Sequence, residues 1–176
     1  MDATGVVDGL DVVVGGLSRA ELASQLSSSG VLLNSHAETL LSTVVFDRRP
    51  SHLIALVERS VAQLGFAEGA TLPTIFRAAL QQGLALCPAY AGPYLRLALD
   101  DQIDAPDTIM TSGRAPTGSL TVASAPVHED DLYPKGFYLR VIAGQKWLRG
   151  YRCDDEHVWS GEDRLVFRLP LDDMHS

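Results

Sequence analysis

Apolar and polar residues alternate with a period of two over residues 137–152, and this alternation predicts a β-hairpin. Gly144 and Gln145 lie between two runs rich in β-branched and aromatic residues, so we expect them to form a two-residue turn. That turn places Arg140 directly opposite Arg149. One face of the hairpin is then apolar, and the other, which we call the Arg/aromatic face, carries Tyr138, Arg140, Trp147, Arg149 and Tyr151.

The Arg/aromatic face is expected to meet a negative charge. Like charges at facing positions destabilise a sheet unless something neutralises them. The negative group is either an anionic ligand or one of the protein's own carboxylates, which the loops beside the hairpin supply at Glu129, Asp131, Asp154 and Glu156. The sequence leaves both alternatives open.

Two capping boxes predict a pair of helices near the N-terminus. Ser18 with Glu21 begins a helix over 19–27, and Ser35 with Glu38 begins a second one. Later in the chain, an N-cap threonine followed by a first-turn proline predicts a third helix over 71–82. Patterns of apolar residues predict strands outside the hairpin at 12–14, 53–64, 94–99, 119–125 and 164–169.

These elements predict an α+β fold. We expect an antiparallel sheet of about five or six strands, strongly bent or closed into a half-barrel, with the N-terminal helix pair and one covering helix. The expected organisation is a flexible arm over 1–17, the helical pair over 18–46 and the α+β core domain over 51–170. Residues 100–117 form a long connection of the kind that is usually functional or disordered.

The charge balance excludes one broad class of partner. Fourteen Lys and Arg against 22 Asp and Glu give a net charge of −8, which argues against nucleic acid as a ligand. The chain also lacks an apolar run of membrane-spanning length and a secretory signal pattern, so we expect a cytoplasmic protein that binds no membrane. Cys87 and Cys153 are too few and too widely spaced for a zinc motif, and no phosphate-binding loop is present, so we expect neither metal nor cofactor.

Two histidines and one cysteine are candidates for chemistry. His157 lies between a glutamate and a tryptophan, an environment that suits general acid–base work, although a turn histidine would look the same. His128 begins the acidic run 128–131, which is either an acid–base group or a polar loop. Cys87 precedes a proline and could be a reactive thiolate, but its apolar neighbours favour a buried, inert thiol.

Three phrases of the sequence resemble a set of small uncharacterised bacterial proteins: LGFAEGAT, GLALCPAYAGPYLRL and PKGFYLRVIAGQKWLRGYR with the following HVWSGEDRLVF. The resemblance covers most of the chain from about Leu53 onward. It implies a strand over 53–64 and a bacterial cytoplasmic origin, and it carries no activity, cofactor or catalytic residue.

Two functional hypotheses follow from the sequence. We favour a non-enzymatic protein-partner-binding or regulatory domain, because charged loops are plentiful and no catalytic set is recognisable. The alternative is an anionic small-molecule-binding protein or a cofactor-free enzyme of proton transfer, cyclisation or hydrolysis. In that case Arg140 and Arg149 hold the anion, aromatic side chains shape the site, and His157 or His128 serves as acid–base.

Overall fold

The computed structural model describes residues 9–43, 46–47, 50–99, 119–128, 130 and 132–170. Within these ranges, the elements in chain order are β1 (Asp11–Val14), α1 (Arg19–Ser28), β2 (Leu32–Leu33), α2 (Ser35–Leu41), β3 (His52–Ser60), β4 (Ala70–Thr71), α3 (Leu72–Gln81), α4 (Ala91–Ala98), β5 (Leu120–Val122), β6 (Gly136–Ile142), β7 (Gln145–Tyr151), β8 (Val158–Trp159) and β9 (Arg164–Arg168).

Seven strands form one curled, half-barrel sheet in the order β1-β3-β9-β5-β6-β7-β2, and β4 pairs with β8 apart from it. The predicted α+β class and bent sheet are confirmed. The strand count and polarity differ from the prediction, because the sheet has seven strands and two of its pairs, β5–β9 and β2–β7, are parallel. Both parallel pairs join strands that are far apart in sequence, so local patterns could not reveal them.

Strand β9 lies inside the sheet, third from the β1 edge. It pairs antiparallel with β3, where Val57 is opposite Phe167, and parallel with β5, where Val122 is opposite Val166. Because β3 carries β1 and β5 carries β6, β9 connects the two halves of the sheet.

Each face of the sheet has its own hydrophobic core. Alternate residues of β9 divide between the cores, since Val166 packs into the first core while Leu165 and Phe167 pack into the second. The first core also contains apolar residues of α1, α2 and α4, and the second contains those of α3. The N-terminal helix pair therefore shares a core with the sheet.

Two helix starts are as predicted and one is displaced. Ser18 caps α1 in a complete capping box with Glu21, and Pro73 occupies the first turn of α3. Helix α2 is capped by Asn34 instead of Ser35, because the Asn34 side chain accepts a hydrogen bond from the backbone N–H of Ala37 at 2.8 Å.

The predicted strand over 94–99 is wrong, because this stretch belongs to helix α4. Proline is tolerated in the first turn of a helix, so Pro93 does not break it. Six consecutive residues of α4 are buried, including Arg96, so the charged residue of this helix does not mark a solvent-facing side. Gly92 permits this packing, since a Cβ atom there would lie 2.7 Å from the Phe137 ring.

Residues 84–88 bridge β9 and β5. Ala85 forms an antiparallel bridge with Arg168 and exchanges two backbone hydrogen bonds with it, at 2.8 and 2.9 Å. Two residues later, Cys87 bridges Ser124 in the parallel sense. We call residues 84–88 the bridging segment, because its backbone joins strands that pair directly only at Thr121 and Val122.

Candidate functional site

The hairpin predicted over 137–152 is present, but its turn lies one residue earlier than expected. Ala143 and Gly144 form the turn, with φ values of 51° and 78°, as in a type I′ turn. The shift moves every pairing by two residues, so Arg140 faces Trp147 and the predicted Arg140–Arg149 pairing is wrong. A shift of two leaves each side chain on its predicted face of the sheet.

The five residues of the Arg/aromatic face therefore share one face, in a new arrangement. Tyr138 lies opposite Arg149, and the Arg149 guanidinium lies 4.2 Å from the centre of the Trp147 ring, a cation–π contact. Arg140 is only 1% exposed. Both arginines also make further contacts within the protein.

Arg96 supports the hairpin from α4. This arginine is fully buried, and its Nη1 donates to the carbonyl oxygens of Arg140 and Trp147, both at 3.3 Å. Its Nη2 donates to the carbonyl of Leu99 at 3.0 Å, at the C-terminus of α4, where a cation is favourable. Arg96 thus fixes the end of α4 against the β6–β7 ladder.

Carboxylates near the hairpin serve several structural roles. Asp154 accepts hydrogen bonds from the backbone N–H groups of Glu156 and His157, which shapes the turn after β7. Buried Glu58 forms an ion pair with Arg164 on the neighbouring strand. Residues 100–117, Glu129 and Asp131, which the sequence offered as a closing loop and counter-charges, lie outside the described residues.

His157 lies beside the far end of the Arg/aromatic face. Its ring packs edge-on against Trp159 at 6.0 Å, and Trp159 packs edge-on against Tyr151 at 5.6 Å. This row of rings belongs to the edge of the second core, where burial raises the pKa of the Tyr151 hydroxyl well above its usual range. A neutral phenol at this position acts as a packing group.

His128 lies elsewhere. Its ring stacks on Tyr133 at 4.9 Å, and its Nδ1 accepts a hydrogen bond from the backbone N–H of Asp130 at 3.0 Å. Tyr133 packs against the first core, whereas Trp159 belongs to the second. The two predicted acid–base histidines therefore contact different cores.

Cys87 is a buried thiol, as predicted. Desolvation raises its pKa to about 12, partly opposed by the positive charge of Arg168, and its Sγ donates to the carbonyl of Val166 at 3.7 Å. The thiol is therefore protonated at neutral pH and chemically inert. Within the described ranges, no three His, Cys, Asp or Glu side chains come together in a group that could hold a metal ion.

A different surface is exposed at the β1 edge of the sheet. Val13 and Leu53 face each other across β1 and β3 and are 56% and 52% exposed, and Leu169 beside them is also exposed. Leu169 donates a backbone hydrogen bond to the carbonyl of Ala55 at 2.9 Å, so it lies opposite Ala55, two residues along β3 from Leu53. We call Val13, Leu53 and Leu169 the edge patch.

Of the described strands, only β3 pairs with β1, and it uses one of the two sets of β1 backbone groups. The N–H of Leu56 donates to the carbonyl of Leu10, so even-numbered residues of β1 point their polar groups toward β3. The N–H and C=O groups of Asp11 and Val13 consequently point away from the sheet. Among the described strands, β1 has β3 as its one neighbour.

Sequence reasoning missed the edge patch. Residues 12–14 are three consecutive valines, and such a run does not show which side chains are buried. In the structure Val12 and Val14 enter the first core and Val13 faces outward. The available signal was the shortness of the strand, which is typical of a sheet edge.

Comparison of the chain with protein-family models, curated proteins and solved structures found no match. Of the helices in the described part of the chain, none combines the length and the apolar character that crossing a bilayer requires. The fold and the geometry of its surfaces are therefore the basis for a functional proposal.

Proposed function

We propose that the protein is a non-enzymatic partner-binding domain that engages its partner at the β1 edge. The observation that carries the proposal is the combination, on one short strand, of outward-pointing backbone groups and an exposed apolar pair, Val13 and Leu53. A partner strand added there gains main-chain hydrogen bonds, and its alternate side chains cover the edge patch.

The Arg/aromatic face also favours a non-enzymatic domain over a ligand-binding one. Buried Arg140 and half-buried Arg149 are engaged within the protein, which favours a structural network over a ligand pocket. The alternative enzyme hypothesis assigns the acid–base role to His157 or to His128, and these two histidines lie against aromatic residues of different cores. The resemblance to small bacterial proteins supports a bacterial cytoplasmic setting as part of this proposal.

Site-specific photo-crosslinking tests the proposal. A photoreactive amino acid is placed at position 13 and, as a matched control, at position 158, because Val158 is an equally exposed valine (53%) on β8. We expect covalent adducts in cells from position 13 and none from position 158. An absence of adducts at position 13, or equal adducts at both positions, would overturn the proposal.

A second candidate function is binding of a small carboxylate or phosphate beside Arg149. The favouring observation is the position of the Arg149 guanidinium carbon, 4.2 Å from the centre of the Trp147 ring, because an arginine held beside an aromatic ring suits recognition of carboxylate or phosphate. A thermal-shift screen with anionic metabolites tests it, since ligand at 100 times its dissociation constant adds about 2.7 kcal/mol to stability. Under this hypothesis Arg149→Lys abolishes the shift and leaves the melting temperature of the free protein unchanged. A large loss of stability in that variant instead supports a structural role.

A further inference from the structure

We infer that the partner engaged at the β1 edge is an extended peptide segment in which an apolar residue is followed, two positions later, by Lys or Arg. The inference rests on the proposed function and specifies the chemistry of the partner. Three properties of β1 lead to this sequence: the direction of its backbone groups, the side chains on its exposed face and the charge of Asp11.

The hydrogen-bonding positions of β1 determine how a partner strand is placed. Asp11 and Val13 direct their N–H and C=O groups away from β3. In antiparallel pairing, each of these residues exchanges two hydrogen bonds with the partner residue directly opposite. Antiparallel pairing is favoured because it is slightly more stable per residue than parallel pairing. It requires only residues 11–13, which all lie within β1.

The partner residue opposite Val13 should be apolar. Directly opposite residues point their side chains to the same side of a sheet, so this residue contacts the edge patch. Val13 and Leu53 of that patch are 56% and 52% exposed. An apolar side chain above them removes apolar surface of both from water, which favours association.

The partner residue opposite Asp11 should be basic. Asp11 is exposed on the same face as Val13, because Val12 between them is buried in the first core. Among the described residues, none forms an ion pair or a side-chain hydrogen bond with Asp11. Opposite Cβ atoms lie about 4.5–5.5 Å apart, so a basic side chain there reaches the carboxylate and an acidic one is repelled. The net charge of −8 also attracts a cationic segment at longer range.

Strand direction sets the order of the two partner residues. An antiparallel partner meets Val13 first and Asp11 two residues later, so its sequence reads apolar-x-Lys/Arg from N- to C-terminus. The opposite order, Lys/Arg-x-apolar, fits only a parallel strand. A second copy of β1 lacks the required order, since the residue two positions after Val13 is Gly15.

Two terminally capped peptides with the same composition and charge test this order. The peptide TTITKTT has isoleucine two positions before lysine, and TTKTITT is its reverse. We expect TTITKTT to shift the amide resonance of Val13 in an NMR titration of the full chain, and the reversed peptide to bind about fivefold more weakly. Equal binding of the two, or tighter binding of the reversed peptide, would overturn the inference.

A charge exchange at Asp11 tests the basic position. We expect Asp11→Lys to weaken binding of TTITKTT about tenfold and to bind TTITETT, with glutamate in place of lysine, more tightly than the wild type does. Asp155→Lys is the matched control, because Asp155 is exposed in the turn after β7 and the change in net charge is the same. Equal weakening in both variants would mean that net charge alone attracts the peptide, which contradicts the inference.

The outcomes separate this inference from the proposed function. If neither peptide binds and position 13 photo-crosslinks to a different protein in cells, the proposed function stands and the apolar-x-Lys/Arg sequence is rejected. Crosslinks at position 13 between two copies of the chain would identify a second copy as the occupant and also reject the sequence. If position 13 yields no adduct and no peptide binds, both proposals fail.

Discussion

The two edges of the seven-stranded sheet use their backbone groups in opposite ways. At the β7 side, β2 pairs for two residues and the Asn34 side chain then continues the ladder, donating to the carbonyl of Gly150 at 3.0 Å and accepting from its N–H at 2.9 Å. At the other side, β1 directs the polar groups of Asp11 and Val13 outward. Among the described residues, the chain itself supplies the hydrogen bonds on the β7 side, whereas the proposed partner would supply them at β1.

A single amide side chain, that of Asn34, bonds both backbone groups of Gly150 on β7. Asn34 caps α2 and binds Gly150 with the same side chain, so it fixes the helix and the sheet edge together. Substitutions at Asn34, Gly150, Cys87 and Ala143 test these contacts and the hairpin turn, and hydrogen exchange compares the two edges directly.

The largest effect is expected from Asn34→Ala. This change removes an N-cap and leaves the buried N–H and C=O of Gly150 without their partner, for a loss of about 3 kcal/mol in the free energy of unfolding. Urea denaturation measures it. Ser18→Ala is the matched control, because it removes a helix cap on α1 that has no bond to the sheet and should cost about 1 kcal/mol. Equal losses in the two variants would show that the Gly150 bonds contribute nothing.

Gly150→Ala is expected to destabilise by about 2 kcal/mol through overpacking. A Cβ atom at this position would lie 2.7 Å from the carbonyl carbon of His36 and 2.9 Å from the backbone nitrogen of Ala37, so α2 must move away from the sheet. The change in melting temperature reports the loss. Gly83→Ala is a control for backbone strain alone, since its φ is +89° and its Cβ would meet no atom within 4 Å. A loss at Gly150 smaller than at Gly83 would contradict the tight contact with α2.

Alkaline pH should lower the free energy of unfolding, because Cys87 in the bridging segment is buried as a neutral thiol. Burial raises the pKa of Cys87 from 9.0 to about 12 in the folded protein, so above pH 9 the unfolded chain loses the thiol proton first. Stability contributed by the neutral thiol is complete below pH 9 and falls as pH rises toward 12. Between pH 9 and 10.5 we expect a decrease of about 2 kcal/mol at 1.4 kcal/mol per pKa unit.

The measurement for this pH effect is the free energy of unfolding at several pH values in the wild type and in Cys87→Ala. The free energy of unfolding of the variant should fall less steeply with pH. The variant also loses packing free energy, but this loss does not depend on pH and therefore does not affect the slope. Identical slopes would mean that another group, such as buried Tyr151, controls the alkaline transition.

A smaller, stabilising effect is expected from Ala143→Asn. Ala143 has a φ of 51°, a left-handed conformation that costs a residue with a Cβ about 1 kcal/mol and that asparagine adopts more readily. We expect a gain of about 0.5–1 kcal/mol in thermal unfolding. Gly144→Ala, at a φ of 78°, should change stability in the opposite direction. A loss in the asparagine variant would argue against the type I′ turn.

The subtlest measurement compares the edges directly. In amide hydrogen exchange, we expect the N–H of Gly150 to be protected at every protein concentration, because Asn34 accepts its hydrogen bond. The N–H of Val13 points away from β3, so it should exchange rapidly in the isolated protein. Slow exchange at Val13 in the isolated protein would mean that its N–H is hydrogen-bonded within the chain.

Local signals predicted the elements that local interactions create. Helix α1 follows from its capping box, and α3 follows from Pro73 in its first turn. The hairpin was predicted, but its turn was displaced because alanine rarely adopts a positive φ and Gly144 fits either turn position. Helix α4 was missed because Gly92 and Pro93 indicate a break and because apolar and other residues alternate over 94–99 as in a strand.

Contacts between distant residues were beyond the sequence. Asn34 and Gly150 are 116 residues apart, and nothing in either local pattern indicates the other. The sequence placed the five residues of the Arg/aromatic face together because side chains alternate along strands. Their role in binding stays a prediction, and so does the acid–base role of His157 and His128.

The position of β9 between β3 and β5 has a consequence for synthesis on the ribosome. Strands β1 and β3 emerge early and can pair with each other, but the partner on the other side of β3 begins only at Arg164. At about 5–20 residues per second, the hundred or so residues between them take roughly 5–20 s to translate. During that interval β3 is a nascent edge as well as β1, so transient shielding by a chaperone would benefit this chain before its final strand arrives.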